Sequence, residues 1–232
     1  LFKKTVLATK TSKINAEVSF NYQRKDFQYF NDKVKVNADF TKSRISLRDL
    51  SKLYGEFGVE DVLVLNANLE GTLNNFKINQ LDINSDDGVI INGELKFLNA
   101  INTERGFSFD GDLKNVTANY QELKSVLPNL LGKTLPTEFK RLGDFTLQGK
   151  TFINENKLDL NIVVFSEIGT TKANLKLTNI ANIDEANYKG NVELIDFNIG
   201  EFFDEPLFKE VSLSGDVNGT GFRIDNVNTG II

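Results

Sequence analysis

The chain contains no cysteine, histidine, tryptophan or methionine, and only three prolines. Without Cys there can be neither disulfides nor thiol chemistry, and compartments of either redox state remain open. Without His the commonest general base and the commonest transition-metal ligand are missing, and the usual nucleophilic triads cannot be built. We therefore expect no enzyme activity, no metal site and no cofactor.

Clustered positive charge and long apolar runs are also missing. The 232 residues include 27 Lys or Arg and 32 Asp or Glu, a net charge of −5 that argues against a nucleic-acid partner. No apolar run approaches the roughly 20 residues that cross a bilayer, and the chain does not start with a signal-peptide pattern. Because Met is absent and "RIDNVNTGII" reads as an unfinished strand, we expect a segment of a longer chain.

Apolar and polar residues alternate along most of the chain. The runs "KVKVNADF", "VIINGELKF", "FSFDGDL" and "LDLNIVV" show this pattern most clearly. Period-two alternation is typical of antiparallel strands with one apolar face and one wet face. The sequence therefore predicts an all-β fold, with a few short helices, in one long antiparallel coiled sheet.

One set of alternating residues is expected to line the apolar face. Its members are Val34, Val36, Phe40, Leu65, Leu69, Ile91, Leu95, Phe97, Phe107, Phe109, Phe145, Leu147, Leu160, Ile162, Leu175 and Leu177. Glycine recurs on the same face, at Gly71, Gly93, Gly111, Gly149, Gly190 and Gly215. Inward glycine weakens a strand but allows the sheet to bend sharply, and it leaves room for a ligand chain.

Three short helices interrupt the strands. The stretches "ISLRDL", "ANYQEL" and "FNIGEF" each place a small polar residue three positions before an acid, with caps expected at Ser46, Asn119 and Asn198. The caps are 73 and 79 residues apart. This spacing predicts a degenerate repeat in a single β domain, 1–232, with units of roughly 1–100, 101–180 and 181–232.

Three stretches carry a resemblance to a known family. They are "LPNLLGKTLPTEFKRLGDFTLQGK", "LNANLEGTLNNF" and "LIDFNIGEFF" followed by "LFKEVSLSGDVNGTGF". They resemble the TamB family, the translocation and assembly module subunits, in its Bacteroidetes-type form, over most of the chain from about Val34 to the end. The likeness is one of repeat pattern and includes no catalytic motif.

The resemblance implies membership of the AsmA-like proteins with a repeating, taco-shaped β-groove. It implies a periplasmic segment of a Gram-negative protein, anchored in the inner membrane by a region outside this sequence. It further implies phospholipid acyl chains as cargo and a TamA/BamA-type outer-membrane barrel as partner. The implied roles are phospholipid transfer between the two membranes and support of outer-membrane protein assembly and secretion.

The residues alone leave the function open. The apolar face could close on itself as a sandwich core, or stay open as a groove that needs an apolar ligand. An open groove would carry lipid, which is the reading that we favour. The alternatives are a chaperone that binds outer-membrane strands at a sheet edge, and a surface adhesin or polysaccharide-binding β domain.

Overall fold

The computed structural model describes residues 2–52, 58–126, 128, 137–182, 185–221 and 228–231, with the backbone alone at 3 and 228–231. Its strands form one antiparallel sheet in which spatial order follows chain order from β1 to β13. The strands are β1 Phe2–Ala8, β2 Lys13–Asn21, β3 Lys35–Ser46, β4 Val62–Gly71, β5 Phe76–Ser85, β6 Ile90–Leu98, β7 Ser108–Ala118, β8 Phe145–Asn154, β9 Lys157–Ser166, β10 Gly169–Thr178, β11 Asn187–Asn198, β12 Glu210–Thr220 and β13 Asn228–Ile231. The predicted all-β antiparallel class is confirmed.

The sheet is open. Its first and last strands are not paired with each other, and the extensive strand contacts among the described residues all join neighbours. The chain exposes 14057 Å² of surface. A compact monomer of 26.0 kDa would expose about 10,500 Å². The apolar face therefore does not close into a sandwich, and the open sheet is consistent with the expected groove.

Three of the short α-helices follow strands that are four apart in the chain. The α-helices are α1 Phe30–Lys33, α2 Leu47–Leu50, α3 Tyr120–Val126 and α4 Ile199–Phe203, and 3-10 turns span Arg24–Tyr29, Thr103–Arg105 and Thr137–Leu142. Helices α2, α3 and α4 come after β3, β7 and β11. Because alternate strands of an antiparallel sheet run in the same direction, these three helices lie at the same end of the strands. None of the described helices is long and apolar enough to span a membrane.

All three predicted helix starts are confirmed. At α3 the Asn119 Oδ1 accepts hydrogen bonds from the N–H groups of Gln121 and Glu122, and the Asn119 N–H donates to Glu122 Oε2 at 2.8 Å. At α4 the Asn198 Oδ1 accepts from the Glu201 N–H at 3.0 Å. These bonds satisfy amide groups that a helix start leaves free.

The cap of α2 differs from the other two. Ser46 makes no side-chain cap bond, and its N–H donates to Ser12 Oγ at 3.0 Å. The Ser12 hydroxyl donates in turn to Asp49 Oδ2 at 2.6 Å. Asp is one methylene shorter than Glu, and the Ser12 hydroxyl from the β1–β2 turn bridges the resulting gap. Hydroxyls of Ser12, Thr9 and Thr11 together hold the pKa of Asp49 well below its usual range.

Bulges on strands of one direction shift the alternation. The register slips in β3, β5 and β11, where Lys42, Gln80 and Asp196 adopt positive φ values of 44°, 51° and 48°. Each bulge inserts one residue, so the residues beyond it project to the opposite face from the one that simple alternation predicts.

Candidate functional site: an open apolar face

Directly paired residues of an antiparallel sheet project from the same face, so the register defines rows that run across the strands. Row 1 lies towards the end of the sheet opposite α2, α3 and α4. Its members from β2 to β12 are Phe20, Val36, Gly71, Phe76, Phe97, Phe109, Ile153, Leu158, Leu177, Tyr188 and Gly219. Its aromatic stretch is in ring contact, with centroids 4.8 Å apart for Phe76 and Phe97 and 5.2 Å for Phe97 and Phe109.

Three further rows run parallel to row 1. Row 2 consists of Val18, Ala38, Leu69, Ile78, Leu95, Gly111, Thr151, Leu160, Leu175, Gly190 and Val217. Row 3, which passes the bulge at Gln80, consists of Ala16, Phe40, Ala67, Leu81, Gly93, Leu113, Gly149, Ile162, Ala173, Val192 and Gly215. Row 4 consists of Ser43, Leu65, Ile83, Ile91, Val116, Leu147, Val164, Thr171, Leu194 and Leu213. The four rows, together called the apolar face, contain no charged residue.

The end of the apolar face beyond row 4 is covered. Leu47 of α2, Val126 of α3 and Leu142 pack with strand residues that include Phe145 and Phe197 into one buried cluster. Leu47 is fully buried. The helices therefore close this end as a conventional core, whereas among the described residues none in rows 1 to 3 belongs to this cluster or packs against it.

The opposite end of the face is bounded by polar loops. Asn74 is 1% exposed, and its Oδ1 accepts hydrogen bonds from the N–H groups of Ile101 and Asn102 at 3.2 and 3.1 Å. Its Nδ2 donates to Asp32 Oδ1 at 2.8 Å. Asn74 thus ties the β2–β3, β4–β5 and β6–β7 connections together beside row 1.

The register brings most of the predicted lining residues together. Row 1 contains Val36, Phe97, Phe109 and Leu177; row 2 contains Leu69, Leu95, Leu160 and Leu175; row 3 contains Phe40 and Ile162; row 4 contains Leu65, Ile91 and Leu147. Phe145 belongs to the helix-covered cluster, and Ile91 and Leu147 pack against its margin. Val34 precedes β3 and is fully buried, and Phe107 precedes β7. That these residues contact a ligand stays a prediction.

Gly149 and Gly190 of the apolar face are required by the backbone of the neighbouring strands. Gly149 has a φ of +135°, and a Cβ there would lie 2.2 Å from the carbonyl oxygen of Asn161 in the next strand. At Gly190 the corresponding distance, to the carbonyl oxygen of Asn174, is 1.9 Å. These glycines therefore allow neighbouring strands to approach closely, which is a different reason from the ligand space that the sequence suggested.

The other face of the sheet carries charge. Ion pairs join strand neighbours there, with Lys77 Nζ 2.9 Å from Glu94 Oε2 and Lys172 Nζ 3.1 Å from Glu193 Oε1. Exposed pairs of this kind contribute little stability, so their main effect is to keep this face hydrated. The two faces therefore differ sharply in polarity.

One feature was missed by the sequence reasoning. Phe2, Phe20, Tyr22, Phe27 and Tyr29 are all exposed, by between 37% and 59%, at the corner where β2 enters the 3-10 turn. Most aromatic residues were expected on the apolar face, and only Phe20 of these belongs to its rows. A count of charge and aromatic residues by segment could have drawn attention to this corner.

Enclosed sites are not prominent in the described part of the chain. A pocket of about 590 Å³ beside α4 is lined mainly by polar and charged residues, among them Glu201, Asp204 and Lys209. No group of three or more Asp or Glu residues there is arranged to hold a metal ion. The candidate site is thus an extended surface.

The fold and this surface define a class: an open, single-sheet, four-strand-repeat β protein whose apolar face is covered by helices at one end. No family model, no curated protein and no solved structure matches the chain. The function must therefore be argued from the apolar face itself.

Proposed function

We propose that the apolar face carries phospholipid acyl chains. The observation that supports this is the length of the uncharged rows, which continue from β2 to β12 without a charged residue and, among the described residues, without a second sheet above them. An acyl chain gains about 0.8 kcal/mol for each CH2 that it buries, and it would lose that gain at a charged interruption. A chain lying along rows 1 to 3 would meet none.

The cellular location and the partners in this proposal are taken from the resemblance to the TamB family. In this proposal the chain is a periplasmic bridge segment, and lipid passes along it between the inner and outer membranes. The inner-membrane anchor lies outside the segment, and a TamA/BamA-type barrel receives it at the outer membrane. Support of outer-membrane protein assembly is part of the same proposal.

The absence of tryptophan allows a direct test. A single Trp replaces Phe97 in row 1, and the protein is incubated with zwitterionic vesicles of brominated phosphatidylcholine and then separated from them. Bromine quenches only fluorophores that it nearly touches. We expect Phe97→Trp to stay quenched in the vesicle-free fraction, because bound acyl chains lie against row 1.

Two matched controls locate the lipid. Phe165 is 48% exposed but lies on the charged face. It follows Val164 of row 4 in the strand, and its partners Thr146 and Thr170 likewise adjoin row 4 residues, so all three point to the opposite side. Phe145 is on the apolar side but is covered by the helices. Phe165→Trp and Phe145→Trp should not be quenched. Absence of quenching at Phe97→Trp, or equal quenching at Phe165→Trp, would disprove lipid carriage on this face.

A second candidate function is supported by a free strand edge. Only Val217–Thr220 of β12 pair with β13, so Glu210–Asp216 have no partner on that side among the described residues. An unpaired edge can bind an extended polypeptide by adding it as a further strand. Photo-crosslinking side chains at Ser212 and Ser214, in Gram-negative cells that export the chain, should then capture outer-membrane polypeptides. Capture of none would reject the chaperone role.

A further inference from the structure

The exposed aromatic residues near the start of the chain form one connected group. Ring centroids are 6.0 Å apart for Phe2 and Phe20 and 6.1 Å for Phe20 and Phe30. Those of Phe27 lie 6.0 Å from Phe30 and 4.5 Å from Tyr22. These five rings, with Tyr29, are called the aromatic corner. A group of mostly exposed rings this large is unusual on a protein surface that faces only water.

Positive charge accompanies the aromatic corner. The first 35 residues contain eight Lys or Arg and only three Asp or Glu, whereas the whole chain contains 27 and 32. Arg24, Lys25, Lys33 and Lys35 are exposed beside the rings, and Lys33 Nζ lies 4.6 Å from the centroid of Tyr29. The corner is therefore basic although the chain is acidic overall, and the expectation that positive charge is not clustered is wrong for this segment.

The nearby acids are engaged within the protein. Asp26 Oδ2 accepts a hydrogen bond from the Gln23 N–H at 2.6 Å. Asp32 Oδ1 accepts from Asn74 Nδ2 at 2.8 Å and lies 3.6 Å from Arg105 Nη1. Neither carboxylate forms an ion pair with the four basic side chains of the corner among the described residues, so that positive charge is available to a partner.

We propose that the aromatic corner docks on the surface of an anionic lipid bilayer. Aromatic rings prefer the boundary between headgroups and acyl chains, and Lys and Arg beside them are attracted to anionic headgroups. The excess of acid in the rest of the chain disfavours contact elsewhere, so the charge distribution also sets the orientation. A second copy that bound corner to corner would bring two basic groups together, which like-charge repulsion disfavours.

Docking there would connect a membrane with the apolar face. Phe20 is both a member of the aromatic corner and the first residue of row 1. The corner therefore opens onto the row that we assign to acyl chains, and lipid could enter row 1 at β2. This delivery step depends on the proposed function, whereas the docking itself does not.

Vesicle flotation tests the docking. The complete chain should float with phosphatidylcholine vesicles that contain phosphatidylglycerol, should not float with phosphatidylcholine alone, and should be released by salt. Removing two charges, with Arg24→Ser and Lys25→Ser, should weaken binding about tenfold or more. Removing two rings, with Phe27→Ser and Tyr29→Ser, should weaken it comparably.

Matched substitutions elsewhere separate a specific surface from a general loss. Phe165→Ser and Lys176→Ser each remove an exposed residue of the same kind from the charged face, and should leave flotation unchanged. Thermal unfolding by circular dichroism checks that every variant is folded. Failure of the wild type to float, or wild-type binding by both corner variants, would overturn the docking.

Two further readouts separate the remaining outcomes. Sedimentation tests for a dimer. If the wild type is a dimer and the corner variants are not, the corner is an interface with a second copy and membrane docking is overturned. The quenching of Phe97→Trp by lipid from zwitterionic vesicles, to which the corner does not dock, should persist in the corner variants, because row 1 beyond Phe20 is intact. If the corner variants no longer float but Phe97→Trp is still quenched in them, both proposals are supported. If Phe97→Trp is not quenched even when the corner is unchanged, only lipid carriage is rejected.

Discussion

At the scale of single residues, Ser12 joins two segments that lie far apart in the chain. It is 7% exposed and joins the β1–β2 turn to both the backbone of Ser46 and the carboxylate of Asp49. Replacing it with alanine leaves the buried Ser46 N–H without its partner. An unsatisfied buried donor costs about 1–3 kcal/mol, so Ser12→Ala should lower the free energy of unfolding in urea by that amount.

Thr11 and Asp49 provide the control and the rescue. Thr11 also donates to Asp49 Oδ2, at 2.8 Å, but it is exposed, so Thr11→Ala should change stability by no more than about 0.5 kcal/mol. Adding Asp49→Glu to Ser12→Ala should restore part of the loss, because a longer side chain could reach the Ser46 N–H as Glu122 reaches the Asn119 N–H. Equal effects of the two alanine variants would contradict the bridging role of Ser12.

At the scale of secondary-structure elements, the close approach of β8 and β9 depends on Gly149. An alanine there would combine a left-handed φ with a Cβ 2.2 Å from a backbone oxygen. Since the contact is with backbone, rotamer changes cannot relieve it. Gly149→Ala should therefore cost about 2 kcal/mol or more, measured by urea unfolding.

Gly111 is the matched comparison on the same face. A Cβ there would lie 3.1 Å from atoms of the Phe109 ring and the Thr151 methyl group, which are side chains that can move. Its φ lies outside the left-handed range, so Gly111→Ala should stay within about 1 kcal/mol of the wild type. A cost as large as that at Gly149 would show that crowding on the face, and not strand approach, explains the glycines.

At the scale of the whole molecule, the open sheet should behave as a chain of local units. Strands contact their neighbours, as in repeat proteins, whose stability is approximately a sum of local terms. Leu81 in β5 is 4% exposed, and Leu81→Ala should remove about 2–5 kcal/mol of local stability. Amide hydrogen exchange should then accelerate in β4–β6 and stay unchanged in β10 and β11.

A reciprocal variant completes this measurement. Leu177 in β10 is 6% exposed, and Leu177→Ala should accelerate exchange in β9–β11 while β4–β6 keep their protection. If either substitution accelerated exchange equally in all strands, the sheet would unfold as a single cooperative unit and the repeat description would be wrong.

Local patterns in the sequence were enough to predict the strands, the apolar face and the three helix starts. Alternation is a local property of the chain, and so is the capping at Asn119 and Asn198, so neither needs knowledge of distant residues. Most of the predicted lining residues consequently fall in the four rows.

Whether that face is covered depends on the tertiary structure. The sequence could not distinguish a closed sandwich from an open sheet, because covering a face depends on contacts between distant segments. It did not anticipate the bulges at Lys42, Gln80 and Asp196, after which Ser43, Leu81 and Phe197 turn to the apolar side. Nor could it place Phe145 beneath the helices or gather the rings of the aromatic corner, since both depend on how strands register and on where helices fold back.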